Sequence, residues 1–429
     1  MNKLKLTPAE RSWVLYDVGN SAFTLLIATI IPIYFNFLAE EAGLSNVQYL
    51  AYWGYAASAA TLLVAVLGPV FGTLADTQGY KKPIFLLFLG VGLIGCIALG
   101  FAAHWLWFLL IFVVARVGYS GSLIFYDSML SDITDADRMD HVSSQGYAWG
   151  YIGSCIPFAG CLALVLGSGA LGLSMVTAMG LSFGITALWW LGFTLPLLRR
   201  YEQKHFVERQ PRAIRESFAR LGRTLASVRQ EKKIFLFLLA FFFYIDGVYT
   251  IIDMATAYGE ALGLDSTGLL LALLLTQVVA FPFAILFGRL ARKFSGDQLI
   301  PLCILAYFGI AVFAMFLRTQ AQFWMLAVLV GMFQGGIQAL SRSYLGKIIP
   351  PERSGEFFGL MDVFGKGASF MGLTLVALVS QLTAGTQLHI FGLTLRNENI
   401  AVSSLTILFA IGFVLFCKAD KLNRERVAK

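Results

Sequence analysis

The sequence predicts an all-α membrane protein with twelve transmembrane helices in two pseudo-symmetric bundles of six. Composition, the spacing of apolar segments and an internal repeat predict this fold. Hydrophobic residues make up 58% of the 429 residues and charged residues 13%, about half the charged fraction of an ordinary soluble protein. A water-soluble chain of this length could not bury so much apolar surface. We therefore assign the chain to the membrane class.

Twelve apolar segments are each close to the length that a helix needs to cross a bilayer. They cover residues 12–38, 48–75, 83–103, 105–131, 144–167, 173–198, 233–258, 266–292, 298–317, 322–347, 355–383 and 399–417. A basic stretch forms the longest polar interruption and separates the first six spans from the last six. The predicted domains are residues 1–198, a basic linker at 199–232, and residues 233–429 with a short tail.

An internal repeat supports a duplication of one bundle. The connector Gly72–Lys82 reads G-T-L-A-D-T-Q-G-Y-K-K between spans two and three, and Gly288–Ala291 repeats its G-x-L-A half a chain length later. Glycines recur at Gly146–Gly153 in span five and at Gly359–Gly367 in span eleven, again about half a chain apart. Glycines at such spacings allow helices to approach closely. Two parallel six-span halves are therefore expected.

The first apolar run is predicted to remain as a spanning helix. It carries Asp17 and Asn20 and is longer than the apolar core of a signal peptide. Thr7 and Glu10 have the spacing of a capping box, and Pro8 fits the first helical position. This helix is therefore expected to begin before the membrane.

Lysine and arginine predict the orientation. They concentrate at one set of span ends: Lys3, Lys5, Arg11, Lys81, Lys82, Arg138, the linker, Arg289, Arg292, Lys293, Arg353 and the tail after Lys418. The opposite loops hold only Arg318 and Arg396. The positive-inside rule then places both termini in the cytoplasm. The basic linker is expected to lie on the anionic inner leaflet.

An acidic connector between spans four and five allows two interpretations. It contains Asp132, Asp135, Asp137 and Asp140. A solvated turn at a helix end is the simpler interpretation. A gate whose acids bind arginine or lysine on the cytoplasmic face is the alternative.

Other functional classes have little support. The five cysteines lie inside apolar runs, which favours packing over disulfides or metal binding. The net charge of +7 follows membrane topology, so no nucleic-acid partner is expected. No G-x-x-x-x-G-K-[ST] loop is present, so direct use of ATP is not expected. We expect no metal and no cofactor.

Polar residues inside the spans are the candidate functional residues, because ionisable groups in hydrocarbon are costly. They form stripes on spans one, four, seven, ten and eleven. The candidates for substrate binding or coupling are Asp17, Asn20, Arg116, Asp127, Asp246, Tyr249, Asp253, Gln334, Gln338, Arg342, Asp362 and Lys366.

Each stripe could instead hold a structural hydrogen bond or ion pair. Asp362 and Lys366, four residues apart, could satisfy each other. Asp246 has no basic residue nearby on its own helix, and desolvation disfavours a charged carboxylate. Proton carriers are sought first at Asp246 and Asp253, then at Asp17 and Asp127. Hydrogen bonds to substrate are expected from Gln334, Gln338, Asn20 and Tyr249. Arg116 is expected to meet an acid on another span or an anionic substrate group.

The connector after span two has the residues of a gating loop. Gly72 permits close packing and Gly79 turns the chain, while Lys81 holds the cytoplasmic side. Asp76 lies at the membrane edge, where it could bind a helix N-terminus or an arginine of the other half.

This connector resembles the signature loop of the major facilitator superfamily, with Thr77 and Tyr80 in place of usual basic residues. Other segments resemble the vacuole-effluxer-like branch, which includes fungal vacuolar amino-acid exporters. These are Glu10–Phe23, Phe125–Ser128 with Gly146–Gly153, Gln334–Ser343, Glu356–Gly359 and Gly365–Lys366. Departures are Val18-Gly19 for Trp-Ala, Asp127 for Asn, and Arg116.

The resemblance implies a monomeric secondary-active exporter of a small solute such as amino acids, in a bacterial inner membrane. It implies alternating access, a cavity lined by spans one, four, seven and ten, lipid contacts and coupling to protons. Multidrug efflux is the alternative within transport, suggested by Arg116 with Tyr147, Trp149 and Tyr151. A lipid flippase or a membrane-embedded enzyme are alternatives of other classes, the enzyme being disfavoured by the four scattered histidines.

Overall fold

The computed structural model describes residues 5–209, 219, 221–222, 231–383, 388–390, 393–395 and 397–427. Helices dominate this part of the chain. In the first half they are α1 Pro8–Ala28, α2 Ile30–Glu41, α3 Asn46–Ala75, α4 Lys81–Leu99, α5 Trp105–Ser128, α6 Leu130–Ile133, α7 Met139–Leu166 and α8 Met175–Arg200. In the second half they are α9 Lys232–Ala261, α10 Ser266–Leu290, α11 Gly296–Met315, α12 Gln320–Ile348, α13 Ser354–Leu382, α14 Asn397–Ser403 and α15 Leu405–Val427.

Eleven helical segments in the described ranges are long and apolar enough to cross a membrane. The segment expected as span eleven corresponds to α13, whose 29 residues are long enough to cross a bilayer. The side chains of residues 366–370 inside α13 lie outside the described residues, and the apolar part recorded there is Met371–Leu382. The chain is an integral, multi-pass membrane protein.

The N-terminus of α1 has the capping box that the sequence predicts. The Thr7 hydroxyl accepts a hydrogen bond from the Glu10 amide at 3.2 Å, and the Glu10 carboxylate accepts one from the Thr7 amide at 2.7 Å. The first span is not one regular helix, because Thr29 leaves helical geometry at φ −134° and ψ −71°. It therefore continues as α2 to Glu41.

The described chain divides into two compact units. The first contains Met1–Val142, Trp149–Leu221 and Pro350–Leu360. The second contains Ser143–Ala148, Gly222–Ile349 and Met361–Lys429. Within α7, Ser143–Ala148 therefore cluster with the second unit, and the start of α13, up to Leu360, clusters with the first.

Aromatic rings and close helix contacts form the core of the first unit. Trp13 stacks on Tyr126 with ring centroids 4.4 Å apart, and its indole N–H donates to the Tyr126 carbonyl at 3.0 Å. A Cβ atom on Gly118 of α5 would lie 2.3 Å from the Gly92 nitrogen of α4. Contact between backbones is how small residues bring membrane helices together.

The second unit packs α9 against α15 and α12. Gly247 of α9 leaves room for the ring of Phe409, and the Tyr244 hydroxyl bonds the Ser341 hydroxyl at 2.6 Å. Two three-residue strands, β1 Leu388–Ile390 and β2 Leu393–Leu395, pair antiparallel before α14.

Candidate functional site

A buried polar cluster in the first unit joins the gating loop to the start of α13. We call it the Asp76 cluster and define it as Asp76, Lys81, Asp132, Tyr201 and Ser354. All five residues are buried. Lys81 Nζ lies 3.8 Å from Asp76 Oδ1 and 3.4 Å from Asp132 Oδ2, and it donates to Ser354 Oγ at 2.8 Å. A cation shared between two carboxylates compensates charges that would otherwise be costly to bury.

Asp76 caps the N-terminus of α13. Its Oδ1 accepts from the Gly355 amide at 2.7 Å, and its Oδ2 accepts from the Glu356 amide at 3.0 Å. The first amides of a helix lack partners within the helix and carry a partial positive charge. The carboxylate satisfies both needs. Of the two partners expected for Asp76, the structure shows the helix N-terminus.

Backbone contact brings α3 and α13 together beside this cap. A Cβ atom on Gly72 would lie 2.3 Å from the Gly355 carbonyl oxygen. One turn earlier on α3 and one turn later on α13, a Cβ atom on Gly359 would lie 2.8 Å from the Gly68 carbonyl oxygen. The expected close packing at Gly72 is thus present. Gly79 has a φ of +79°, which favours glycine at this turn.

Asp132 accepts hydrogen bonds from several directions. The Tyr201 hydroxyl donates at 2.6 Å, the amides of Lys204 and His205 donate at 3.1 and 2.9 Å, and His205 Nδ1 lies 3.2 Å away. Burial, together with the nearby Asp132 charge, raises the pKa of Tyr201 above its usual value, so the phenol remains a donor. The solvated-turn interpretation is wrong for Asp132 and Asp140, which are buried, whereas Asp135 and Asp137 are exposed.

The start of the linker pairs with the gating loop. The Val207 amide donates to the Asp76 carbonyl at 2.8 Å, and the Gln78 amide donates to the Val207 carbonyl at 3.0 Å. The Gln203 side chain accepts from the Gly79 amide at 2.9 Å and donates to the Ala75 carbonyl at 3.1 Å. The prediction that the basic linker lies on the inner leaflet stays a prediction, because beyond Arg209 the linker lies almost entirely outside the described part of the chain.

A second ion pair ties the start of α1 to the start of α7. Arg138 donates to both Glu10 carboxylate oxygens at 2.7 Å, and the Thr134 hydroxyl donates to Glu10 at 2.6 Å. This bidentate bond raises the pKa of Arg138 above its usual value. The capping-box spacing identified Glu10, but nothing in the sequence indicated this partner.

The polar stripe of α1 is buried within the first unit. Asn20 donates to Asp17 Oδ1 at 3.3 Å and to the Tyr16 carbonyl at 3.0 Å. On α5, Arg116 and Asp127 are half-buried, and the Arg116 guanidinium lies 5.9 Å from the Phe112 ring centroid. The structure therefore brings Asp17 and Asn20 into one hydrogen-bonded pair.

Asp246 is a buried carboxylate at the middle of α9. Its Oδ1 accepts from the Gly372 amide of α13 at 2.9 Å and from the Thr250 hydroxyl at 3.3 Å. Its Oδ2 is buried and has no hydrogen-bond partner among the residues that the structure describes. A Cβ atom on Gly372 would lie 2.5 Å from Asp246 Oδ1, so glycine is needed for this approach. One half of the carboxylate remains available for another bond.

Arg342 of α12 binds the first turns of α7. It donates to the Ser143 hydroxyl and to the Ser143 carbonyl, both at 2.9 Å. Its guanidinium lies 4.3 Å from the Tyr147 ring centroid, a cation–π contact. Arg342 is 3% exposed. Its described contacts connect helices within the second unit.

A small cavity lies between α9, α10 and α12. Its polar lining residues are Thr276, Gln277 and Gln334, and its volume is about 40 Å³. Thr276 donates its hydroxyl to the Ala272 carbonyl at 3.0 Å. Gln334 is 6% exposed, and its Oε1 has no hydrogen-bond partner within the described part of the chain.

The remaining candidates are less buried. Tyr249, Gln338 and Asp362 are half-buried in the protein, and the Asp253 side chain is exposed on its surface. The side chain of Lys366 lies outside the described residues, so its predicted pairing with Asp362 stays a prediction. Among the described residues, no group of three or more His, Cys, Asp or Glu could hold a metal ion.

Several contacting residues were not identified from the sequence. Thr276, Gly372 and Val207 lack the charge that marked the other candidates, and Val207 acts through its backbone alone. Tyr201 and His205 follow the last span of the first half, where composition suggested only a basic linker. Thr276 could have been found as a polar residue inside an apolar span that faces the polar stripe of Gln334.

Helices that cross the membrane repeatedly, with buried polar groups inside two compact units, define a polytopic membrane protein of the transporter class. Comparison with known proteins is more specific. Residues 8–427 match the family model described as "Vacuole effluxer Atg22 like". The chain is 44% identical over 416 residues to the uncharacterized MFS-type transporter YxiO of Bacillus subtilis (strain 168), covering 96% of this chain and 94% of that protein.

A fungal relative and two solved structures extend the comparison. Autophagy-related protein 22 of Cryptococcus neoformans var. neoformans serotype D (strain B-3501A) is 28% identical over 280 residues, which are 60% of this chain and half of that protein. The human organic anion transporter MFSD10 (TETRAN) is similar in fold, with a TM-score of 0.68, 14% identity, and coverage of 95% and 98% of the two chains. A bacterial homologue of the iron transporter ferroportin, in an outward-facing state, also has a TM-score of 0.68, with 15% identity and coverage of 96% and 98%.

The chain belongs to the vacuole effluxer Atg22-like family. It is an MFS-type transporter with the major facilitator fold, and its relatives are transporters and not enzymes. The family and the fold expected from the sequence are both confirmed.

Proposed function

We propose that the protein is a proton-coupled, secondary-active exporter of a small solute, with amino acids as the substrate class. It works as a monomer by alternating access in a bacterial inner membrane, with both termini in the cytoplasm. The family description supports efflux. The concentration of lysine and arginine at one set of span ends supports this orientation.

The burial of Asp246 is the observation that supports proton coupling. Asp246 lies halfway along a membrane-spanning helix and is fully buried, and one of its oxygens has no partner among the described residues. A buried carboxyl group in general favours its neutral form, because desolvation disfavours the charge. Proton gain and loss at Oδ2 would change the charge on Oδ1, and hence the hydrogen bond from the Gly372 amide that attaches α13 to α9.

The Asp76 cluster supports a gate that engages the start of α13. The Asp76 carboxylate accepts hydrogen bonds from two amides of α13. Lys81 contacts both Ser354 at the start of α13 and Asp132, and so connects them. Breaking these bonds would free the first turn of α13. In the proposed cycle, the Asp76 cluster holds one end of α13 and Asp246 holds its middle.

The other polar stripe residues complete the proposed set. Solute contacts are proposed for Asn20, Tyr249, Gln338 and Arg116, and secondary coupling roles for Asp17, Asp127 and Asp253. These side chains, with the exception of Asp17 and Asn20, are at least partly exposed. Their accessibility supports contact with a solute.

Transport in proteoliposomes tests the proposal. Wild-type protein should accumulate radiolabelled amino acids when a pH gradient is imposed, and should exchange them without one. Asp246→Asn should lose accumulation but keep exchange, because only the coupling group is changed. Asp265→Asn is the matched control, since the contact that the structure describes for Asp265 is the cap of α10.

Two results would contradict it. Unchanged transport with unchanged pH dependence in Asp246→Asn would remove Asp246 from the mechanism. If wild-type protein accumulated amino acids to the same level with and without the pH gradient, proton coupling would be refuted. Release of preloaded amino acids from cells, compared with and without the gene, tests the direction of transport.

A further inference from the structure

The Gln334 amide oxygen is a buried polar atom within the second unit. Gln334 is the middle residue of α12, which runs from Gln320 to Ile348. Its Oε1 has no hydrogen-bond partner among the described residues, although the side chain is 6% exposed. An unsatisfied buried polar group lowers stability, because it gives up hydrogen bonds to water without a replacement. This cost is higher than a leucine at the same place would incur.

The amide lies in the wall of the cavity between α9, α10 and α12. The cavity volume of about 40 Å³ is large enough for roughly three water molecules. Thr276 and Gln277 of α10 line the same space, and aliphatic side chains with Phe323 form the rest of the wall. The Thr276 hydroxyl donates its proton to the Ala272 carbonyl, which leaves its lone pairs available as acceptors.

The lining selects for an uncharged ligand group. No charged side chain is found among the described residues of the cavity wall, so a carboxylate or an ammonium would be desolvated there without compensation. A primary amide offers both a donor and an acceptor. A carboxamide or hydroxyl group can therefore satisfy Gln334, and a group of either kind fits the volume.

The cavity is separate from the Asp246 carboxylate. On α9 the cavity is lined by Ile251, Ile252 and Ala255. Asp246 instead accepts hydrogen bonds from the Gly372 amide of α13 and from the Thr250 hydroxyl. Asp246 and the lining residues lie on opposite faces of α9, because each residue adds about 100° around a helix. A ligand group in the cavity would thus bind without contacting the proposed coupling carboxylate.

We propose that Gln334, with Thr276 and Gln277, forms a subsite for an uncharged hydrogen-bonding group of the solute, a carboxamide or a hydroxyl. The inference rests on the proposed amino-acid transport and specifies it. Amino acids with amide or hydroxyl side chains are preferred over aliphatic ones of equal size.

Exchange of L-glutamine and L-leucine in proteoliposomes tests the subsite. The two molecules are close in size and differ in the group that the cavity would bind. In Gln334→Leu the ratio of glutamine to leucine exchange should fall about tenfold, which corresponds to 1.4 kcal/mol. Thr276→Val should lower the same ratio by a smaller factor.

Gln320→Leu is the matched control. Gln320 lies on the same helix, its amide also has buried atoms without a bond to described residues, and it does not line the cavity. Its ratio should equal that of the wild type. An unchanged ratio in Gln334→Leu, or an equal loss for both solutes, would overturn the subsite.

A binding measurement separates this inference from amino-acid transport. Acetamide should raise the melting temperature of purified wild-type protein and of Gln320→Leu, but not that of Gln334→Leu. Sodium acetate and methylammonium chloride should raise none of them. If wild-type protein exchanges no amino acid and acetamide still acts through Gln334, the proposed substrate class fails and the subsite stands. Stabilisation by acetamide that is absent, or equal in Gln334→Leu, would overturn the subsite.

Discussion

Asp76→Asn should release the first turn of α13 while leaving the side-chain volume unchanged. Asp76 accepts bonds from the Gly355 and Glu356 amides with its two carboxylate oxygens. Asparagine keeps one oxygen and replaces the other by an NH₂ group, which cannot accept from an amide. One of the two amides therefore loses its acceptor, and the attraction between the helix terminus and a negative charge is lost.

The magnitude follows from these two losses. A hydrogen bond to a charged group contributes about 1.5–3 kcal/mol, and a charge at a helix terminus contributes about 0.3–1 kcal/mol. Their sum is about 2–4 kcal/mol, which corresponds to a roughly 30- to 700-fold change in the opening equilibrium. Lys81 keeps Asp132 as a partner, so the lower end of this range is expected.

Hydrogen–deuterium exchange in lipid nanodiscs, read by mass spectrometry, measures this opening directly. Amides at residues 355 and 356 should exchange at least about 30-fold faster in Asp76→Asn. Asp265→Asn is the matched control, because Asp265 caps α10 through the Gly268 amide at 2.7 Å. It should accelerate exchange at Gly268 only. Unchanged exchange at Gly355 and Glu356 in Asp76→Asn would refute the assigned role of the carboxylate.

Two further substitutions test close contacts by thermal denaturation in detergent. Gly72→Ala places a Cβ atom 2.3 Å from the Gly355 carbonyl oxygen and should cost about 1–3 kcal/mol. Gly90→Ala, with nothing within 4 Å, should not destabilise, and equal melting temperatures for the two variants would contradict the packing argument. Arg342→Lys should cost about 2 kcal/mol, because lysine cannot keep both bonds and the ring contact. The exposed Arg289→Lys should have no effect, and an equal loss in both would contradict the role of Arg342.

Properties that depend on side-chain patterning could be predicted from the sequence. Apolar segment lengths predict the spans, because a membrane helix must satisfy its own backbone and present apolar side chains. The capping box at Thr7 and Glu10 is local, and the structure confirms it. The break at Thr29 was not predicted, although the sequence carries a signal for it. Pro32 lies four residues after Ala28, has no N–H to donate to the Ala28 carbonyl and clashes with it, so a helix is interrupted there.

The candidate site shows a similar division. Charge at a membrane edge identified Asp76 and suggested a helix N-terminus or an arginine of the other half as its partner. Which helix it caps depends on contacts between distant segments, which one sequence does not reveal. Asp132 was assigned to a solvated turn in the simpler interpretation, because its neighbours Asp135 and Asp137 are acidic. Its burial depends on hydrogen-bond donors in the segment that follows α8. Two of these donors are the backbone amides of Lys204 and His205, which cannot be recognised from residue type.

The glycine contact between α3 and α13 has a kinetic consequence. Where Gly68 and Gly72 meet Gly359 and Gly355, main-chain atoms touch without intervening side chains. Separation and re-engagement of these surfaces then require no rotamer to change and no interlocked methyl groups to disengage. In the proposed cycle, the two hydrogen bonds from the Gly355 and Glu356 amides to Asp76 would therefore set the rate at which the two helices part.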